Sequence, residues 1–404
     1  MSGKALRNKG LVSRSVQTVN GRIRYARRRW ITAELEPGFG SDCLVDRLID
    51  ETFTTVSVGV RQLCCREGGH ARSFARGREN LKHAAQLSVG EELFRQIVES
   101  EGKAVLAASE NESLELDWSG KSCEATTPSG ELTTRMYASA DGVLVPTTTQ
   151  VEKNKRRETV KKWRRETPRH KRGKLKRLPS VKEGTDQRYK QIYVTVFYDQ
   201  EQKHRLVGTT RRGVEGLRRL LKRDSERAGL IEAKERAGII DGAVCLRSNL
   251  EEVPLQSIVL DFYHLGEHVG QAGVLTLGKE TPACQAWVGK TLHTVRHEGY
   301  EPFFQKLLDW RSATRGNKRQ AANSLINYVA PRQEMICYDQ CDKNGWDVGS
   351  GPMESMCGVT TDRLKGRGRR WDLDNAQAMM ALEALYQSSG LWDRYWANAL
   401  YHRN

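Results

Sequence analysis

The 404-residue sequence predicts an α/β chain: a mixed sheet flanked by helices, with a mainly helical region before it and a helical insertion late in it. Three observations predict this. Strand-like runs succeed one another at Met136–Pro146, Gln191–Tyr198 and Arg205–Thr210. An amphipathic helix at Val214–Arg227 then leads to short apolar strands at Gly238–Asp241 and Gln256–Tyr263. Helical spacing of apolar residues marks the stretches before and after. Three strands joined as hairpins, followed by a βαβ unit, give a mixed sheet with helices on its faces.

Each element has its own reason. Residues 1–33 hold nine Lys/Arg and no acid, and read as a basic arm. Residues 44–66 show no clean period. In 72–84, Phe74, Leu81 and Ala84 share a helical face. Ser88 precedes Glu91 by three residues, a capping-box spacing, and Leu93, Phe94, Ile97, Val98, Val105 and Leu106 mark the helix after it. These two helices invite a helix-turn-helix reading. Glu91, Glu92, Glu99 and Glu101 make the second a poor reader of DNA, so a docking role is expected of it. Residues 151–182 carry fifteen Lys/Arg against Glu152, Glu158 and Glu166, around Trp163 and broken by Pro168 and Pro179. In Gln191–Tyr198, Ile192, Val194 and Val196 alternate with positions expected to be more exposed. Asp199-Gln-Glu-Gln is the expected hairpin turn. Leu217, Leu220 and Leu221 face one way on the following helix. Residues 266–335 read as a separate helical unit. At Gly349–Pro352 a loop turns into a helix, with Ser350 or Gly351 able to cap it and Pro352 suited to its first turn. No GK[ST] follows, so this is no phosphate loop. Asp374–Leu385 is a further helix, and an aromatic-rich short helix closes the chain.

Length suits two or three domains at about 150 residues each. No stretch of about eighteen apolar residues occurs, so no membrane span is expected. The run MSGKALRNKGLVSRS lacks an apolar core, so no secretory signal is expected. Nine cysteines, an odd number without CxxC, argue against a disulfide framework and for a reducing compartment. The adjacent pair Cys64-Cys65 does not suit one tetrahedral ion, so no zinc site is expected there. Net charge is +16, and the two basic windows alone exceed it, leaving the rest of the chain mildly acidic. Positive charge concentrated this way points to a polyanion, with salt-sensitive, sequence-blind affinity. Arg28 and Arg29 in the first window and Lys161, Lys162, Arg164, Arg165 and Arg172 in the second are the expected phosphate contacts.

Three acids sit where chains place active sites. Asp141 interrupts an otherwise uncharged strand, and Asp241 ends one. Each is followed by glycine. Glu354 lies in the first turn of a helix, where the dipole favours a carboxylate. Carboxylates converging at a sheet edge bind hard cations such as Mg²⁺, and two such ions serve phosphodiester chemistry. Spacing alone does not establish the triad.

The strings around these acids carry more. SADGVLVP (139–146), YVTVFYDQEQKHRLVGTTR (193–211), IIDGA (239–243), VLDFYHLGEHV (259–269) and GWDVGSGPMESMCGVTTDRLKGRGRRWDLDNAQAMMALEALYQSSGLWDRYW (345–396) resemble the DDE transposases of bacterial insertion sequences. The likeness is to the ISKra-type family, related to the Mutator-like branch. It runs from about residue 60 to 398, and SFARGRENLKHAAQLS (73–88) adds a less distinctive match. The resemblance implies an RNase H-like core with a helical insertion between the second Asp and the Glu. It puts the first Asp on Asp141, the second on Asp241 and the Glu on Glu354. It implies two Mg²⁺ (or Mn²⁺) ions, cleavage of DNA at the ends of an element to release a 3′-OH, and attack of that hydroxyl on target DNA. The family's C/D-x-x-H string falls on Asp261-Phe262-Tyr263-His264. Asp241 is the preferred second ligand, because it ends its own strand before a glycine. His264 is expected to orient a carboxylate or a phosphate. One departure is Val244-Cys245-Leu246-Arg247, where the family often has an aromatic, which bears on packing near the site.

The expected organisation is a basic arm (1–33), a mainly helical DNA-binding region (34–130), the first part of the core (131–265, with the insert 151–182), the helical insertion (266–344) and the closing part of the core (345–404). Arg363, Lys365, Arg367, Arg369 and Arg370 are expected to hold phosphates beside the metals. The partners expected are terminal inverted repeats, target DNA and further copies of the chain on DNA, in a bacterial cytoplasm at the nucleoid. His293 and His297, Cys337 and Cys341, Trp371, and Trp392 with Trp396 read as surface or packing residues.

Overall fold

The computed structural model describes residues 6–32, 43, 55–169, 189–366 and 369–398. The chain divides into two compact units: 1–114 with 363–386 and 390–404, and 115–362 with 387–389.

The second unit holds the sheet. Its strands are β3 (Glu124–Thr126), β4 (Leu132–Thr148), β5 (Tyr189–Asp199), β6 (Arg205–Thr210), β7 (Glu235–Ile240) and β8 (Ser257–Leu260). The order is β6-β5-β4-β7-β8, with β3 also on β4. β4, β5 and β6 run antiparallel as hairpins, whereas β7 is parallel to β4 and β8 to β7. This is the mixed sheet the sequence predicts. One detail differs: Ile192 to Asp199 is buried without alternation. The sheet is covered on both faces, so the period-two signal is erased. Helix α5 (Gly213–Arg227) packs Leu217, Leu220 and Leu221 against β5 and β6. The expected strand Gln256–Tyr263 is shorter. It stops at Leu260, and Asp261 caps helix α7 (Phe262–Leu277), so Phe262 and Tyr263 are helical. Between β7 and β8 lies α6 (Val244–Leu250). After α7 come α8 (Pro282–His297), α9 (Tyr300–Ala313), α10 (Gly316–Val329) and α11 (Tyr338–Asn344), the helical stretch expected from 266 on. Helix α12 (Gly351–Lys365) follows, with Glu354 N–H donating to Ser350 O at 3.0 Å.

The basic segment after β4 forms α4 (Gln150–Glu166), ending one residue before Thr167-Pro168; residues 170–188, with Arg172 and Pro179, lie outside the described residues. Thr149 caps it in a box with Glu152, whose buried carboxylate also accepts from Lys190 Nζ at 2.8 Å. Burial pushes the Glu152 carboxyl up. The Lys190 ammonium and the Thr149 N–H outweigh it and hold the group below the usual carboxylate range. A lowered folded pKa adds stability above the ordinary carboxylate range, and that stability is lost as pH falls through the folded value. Glu152→Gln is therefore expected to cost about 1–3 kcal/mol at neutral pH, the range for hydrogen bonds to charged groups. The deficit should shrink on acidification in thermal melts of the two proteins.

The first unit opens on a two-stranded ribbon, β1 (Leu6–Thr18) and β2 (Gly21–Thr32), where the sequence reading expected an arm without assigned structure. Its helices are α1 (Val58–His70), α2 (Phe74–Ala85), α3 (Glu91–Glu110), α13 (Leu373–Gln387) and α14 (Leu391–Asn398). The expected capping box at Ser88 is not formed. Gly90 is the N-cap of α3 with no side-chain cap, and Glu91 and Glu92 sit in the first turn, favourable to its dipole. Residues 363–386 belong to this unit, whereas the sequence reading placed 345–404 with the core. The cause is α13, whose residues Ala376 to Leu385 are all buried. Gly102 of α3 lets its backbone close on Ala378, whose carbonyl oxygen a Cβ would meet at 2.6 Å. Among the described residues no helix is long and apolar enough to cross a membrane.

Candidate active site

The first two acids lie past the paired stretch of two parallel strands. β4 and β7 pair from Arg135↔Glu235 to Ala138↔Gly238, and the ladder stops there. Asp141 comes three residues later within β4 and Asp241 three residues later, just beyond the end of β7, and the charge of Asp241 acts on Asp141. Crevices outside the carboxyl ends of parallel strands are the usual ligand sites of such sheets.

Asp141 is half-buried on β4. Its Oδ1 accepts from Gly142 N–H at 2.6 Å, and its Oδ2 accepts from Cys357 Sγ at 3.5 Å. Burial pushes its carboxyl above the usual range and the negative charge of Asp241 adds to this, while Gly142 N–H, the Cys357 thiol and His264 act the other way. Cys357 lies three residues after Glu354 on α12, so the same helical face carries both one turn apart. Glu354 itself is exposed in the first turn.

Asp241 is half-buried, and its Oδ1 accepts from Ala243 N–H at 2.9 Å. The next residue must be glycine. Gly242 has φ +83°, and a Cβ there would meet Leu260 Cδ1 at 2.6 Å and Arg332 Nε at 2.7 Å. Arg332 donates to Gly242 O at 3.0 Å and lies over the Tyr328 ring at 4.2 Å. Tyr328 stacks on His268 at 3.6 Å and donates its hydroxyl to Asp241 O at 3.3 Å. Burial pushes that hydroxyl up to about 12, so it keeps its proton. His268 is lowered by burial, then by His264 and Arg332. Gly242→Ala is expected to destabilise the protein by about 1–3 kcal/mol through left-handed strain plus these contacts. A thermal melt checks it.

Asp261 is fully committed to structure. It is 1% exposed and accepts from Tyr263 N–H at 2.7 Å, His264 N–H at 3.2 Å, Ser350 N–H at 2.9 Å and the Ser350 hydroxyl. It caps α7 and fixes the segment leading into α12. His264, half-buried in the first turn of α7, acts electrostatically on Asp141. Burial raises the Tyr193 hydroxyl above its ordinary range, and the nearby Cys245 adds to this.

Asp141, Asp241 and Glu354 do not close to metal-ligand separation. Among the described residues the group of His, Cys, Asp and Glu ligand atoms all within 4.8 Å of one another is Cys123, Asp199 and His204, which sequence reading missed. They lie at separate points of the chain and form no spacing motif.

The expected DNA contacts divide. Arg28 and Arg29 are exposed on β2, and Lys161, Lys162, Arg164 and Arg165 are exposed on α4. Arg172 and Arg367 lie outside the described residues. Lys365 and Arg370 are exposed. Arg363 corrects the sequence reading: it is 8% exposed, donates to Gly68 O at 3.1 Å and Arg72 O at 3.0 Å, and lies over Phe74 and Trp371. Burial, with Arg369 nearby, lowers it to about 10. It is a core anchor of the first unit, and Arg369 folds back to donate to its carbonyl at 2.8 Å. Trp371 and the pair Trp392–Trp396 pack as expected, in edge-to-face ring contacts. His293 and His297 are exposed, with His297 beside Asp342 at 3.4 Å.

No family model matches this chain, and no curated protein matches it.

Proposed function

We propose that this chain is a DNA transposase of the DDE kind, with an RNase H-like core, acting on the ends of an insertion sequence. The observation that carries the reading is the approach of Asp141, within β4, to Asp241, just past the end of the parallel strand β7, close enough that the charge of one acts on the other, with Cys357, one helical turn from Glu354, against Asp141. The strand order, hairpins on one side of β4 and parallel strands on the other, is compatible with that core.

Asp141, Asp241 and Glu354 are the residues to hold two Mg²⁺ or Mn²⁺ ions. The donor set fits: carboxylate oxygens suit hard cations, and the negative charge of Asp241 adds to burial in raising the carboxyl of Asp141, a repulsion that a cation between them would relieve. When bound, such ions supply activation of the attacking oxygen and stabilisation of the leaving one. The chain's own groups do the rest. Ala243 N–H and the Gly242 turn orient Asp241. Gly142 N–H orients Asp141. His264, whose charge acts on Asp141, is the group to donate to a phosphate oxygen or to that carboxylate. Catalysis of this kind rests on positioning and charge. Hydrolysis at the element's end releases a 3′-OH, and its attack on target DNA joins the strands. Pairing of two ends calls for at least two copies on the DNA.

The exposed cations of β2 and α4 bind backbone phosphates. Replacing Lys161, Lys162, Arg164 and Arg165 together by Gln is expected to lower the magnitude of the log–log salt slope of DNA binding by up to about 3. An unchanged slope would remove α4 from the interface.

The function is tested with labelled DNA carrying the ends of the flanking element, incubated with Mg²⁺ and, separately, with chelator. Nicks and joined products that require the cation support a transposase. Nicks without joined products favour a nuclease of the same core. Binding without either favours a DNA-binding protein that does not cut.

A further inference from the structure

A second cluster lies at the other end of the central strand pair. Cys123 immediately precedes β3 and is delivered by a single turn of 3₁₀ helix, Gly120–Ser122, in which Ser119 and Ser122 cap each other. The turn is tightly built: a Cβ on Gly120 would meet Gly229 O at 2.4 Å, and Cys123 O accepts from Arg135 N–H at 2.8 Å. Asp199 ends β5 and His204 stands just before β6, across the hairpin turn. One Asp199 oxygen accepts from His204 N–H at 3.2 Å, and the other lies 2.8 Å from His204 Nδ1. Trp118 leans on the imidazole with ring centroids 5.4 Å apart. The thiol, carboxylate and imidazole ligand atoms all lie within 4.8 Å of one another.

We propose that Cys123, Asp199 and His204 form a zinc site. The donor set is one sulfur, one imidazole nitrogen and one carboxylate oxygen, which suits Zn²⁺ and disfavours Mg²⁺. Cys123 and Asp199 are buried, at 0% and 2% exposure, while the His204 side chain is 27% exposed. The cluster therefore has a closed floor and one open side. That side faces a cavity of about 390 Å³ lined by Asp199, His204, Gln200, Glu201, Glu124 and Lys203. Three protein ligands and an open fourth position are the pattern of a zinc ion with an exchangeable water. The ion ties the segment before β3 to the β5–β6 turn. This site is separate from the carboxylate pair. Asp199 pairs with Met136 and Val194 with Asp141 on the same two strands, five residues apart, roughly 17 Å along the strand. The proposal does not rest on the transposase reading.

The test uses the full chain, stripped of metal and titrated with Co²⁺ and with Zn²⁺. The expected result is that one tightly bound equivalent carries the near-ultraviolet charge-transfer band of a cobalt–thiolate bond and the intense visible bands of four-coordinate cobalt, whatever further cobalt the carboxylates take up without a thiolate band. Because the chain has nine cysteines, variants assign the band: Cys123→Ser abolishes it and Cys337→Ser leaves it. His204→Gln, at a partly exposed side chain, weakens binding by roughly a hundredfold or more while circular dichroism stays that of wild type, and it decides the matter should Cys123→Ser fail to fold. Zn²⁺ raises the melting temperature of wild type and not of His204→Gln. Absence of a thiolate band in wild type, its persistence in Cys123→Ser, or unchanged affinity in His204→Gln each overturns the site.

Discussion

Asp141→Asn and Asp241→Asn are each expected to leave a folded protein whose DNA cleavage falls by roughly a hundredfold to a thousandfold or more, the scale of losing one charge-stabilising group in an active site. The amide keeps the shape of the carboxylate and one oxygen. In Asp141→Asn that oxygen still accepts from Gly142 N–H, and in Asp241→Asn from Ala243 N–H. What is lost is the negative charge that, on the proposed function, would hold a divalent cation. Among the described residues neither acid forms an ion pair with an arginine or lysine, so neither substitution strands a partner charge. Asp261→Asn is the contrasting case. Asp261 accepts four hydrogen bonds and caps α7, so its substitution is expected to lower the melting temperature, with activity following stability. Cleavage retained in Asp141→Asn, with a normal melt, would sink the catalytic assignment.

Arg135→Met is expected to cost the sheet-bearing unit about 3–5 kcal/mol, the scale for removing one partner of a buried ion pair. Arg135 lies on β4 at 1% exposure. It donates to Glu235 at 2.6 Å, to Gly345 O at 2.6 Å, to Asn344 O at 2.8 Å and to the Gln200 side chain. Glu235 also accepts from Trp346 Nε1 at 2.9 Å. One guanidinium thus closes the start of β7, the β5–β6 turn and the end of the helical insertion onto β4. Methionine fills part of the volume but leaves a carboxylate and two carbonyls underbonded. Denaturant titrations of Arg135→Met, Glu235→Gln and the double variant should show less-than-additive losses, since both singles break one network. Additive losses would mean that the two side chains do not act together. The insertion's end leads through Trp346 and Ser350 into α12, so Arg135→Met is also expected to reduce cleavage through the placement of Glu354.

The sheet was legible because its strands announce themselves by apolar runs bounded by turns; Arg205–Thr210 is read to the residue. Its burial was not. Tyr193, Thr195 and Phe197 are buried by cover on the second face, which a strand's own sequence does not encode. Helix α1 escaped for another reason. Its buried face is Val60, Arg61, Cys64, Cys65 and Gly68, a helical spacing with an arginine and a glycine in it. Arg61 is buried against Glu101 at 2.6 Å, and Gly68 makes room for Val98. Both partners are on α3, so the apolar pattern alone could not show the face. The ribbon β1–β2 carried a turn signal in Asn20-Gly21, but the consecutive Arg27, Arg28 and Arg29 break the alternation that would mark β2.

The site was legible by a different route. Asp141 was marked as a charge interrupting an apolar strand and Asp241 as the end of one, each before a glycine, and the charge of Asp241 acts on Asp141 in the fold. Glu354 was marked by its helix start. That Asp261 is a cap depends on Ser350, eighty-nine residues later in the chain. Arg363 reads as one more cation in RLKGRGRRW, yet Phe74 and Trp371 enclose it. The Cys123, Asp199 and His204 cluster depends on the pairing of β3 and β5 with β4, so no local pattern reveals it.

The most direct measurement is strand transfer by wild type and Glu354→Gln on labelled element-end DNA with Mg²⁺, with DNA affinity measured in parallel. The account predicts joined products from wild type, their loss in Glu354→Gln, and equal DNA binding by both. Joined products at wild-type rate from Glu354→Gln, or no cleavage by wild type under conditions where it binds, would contradict it.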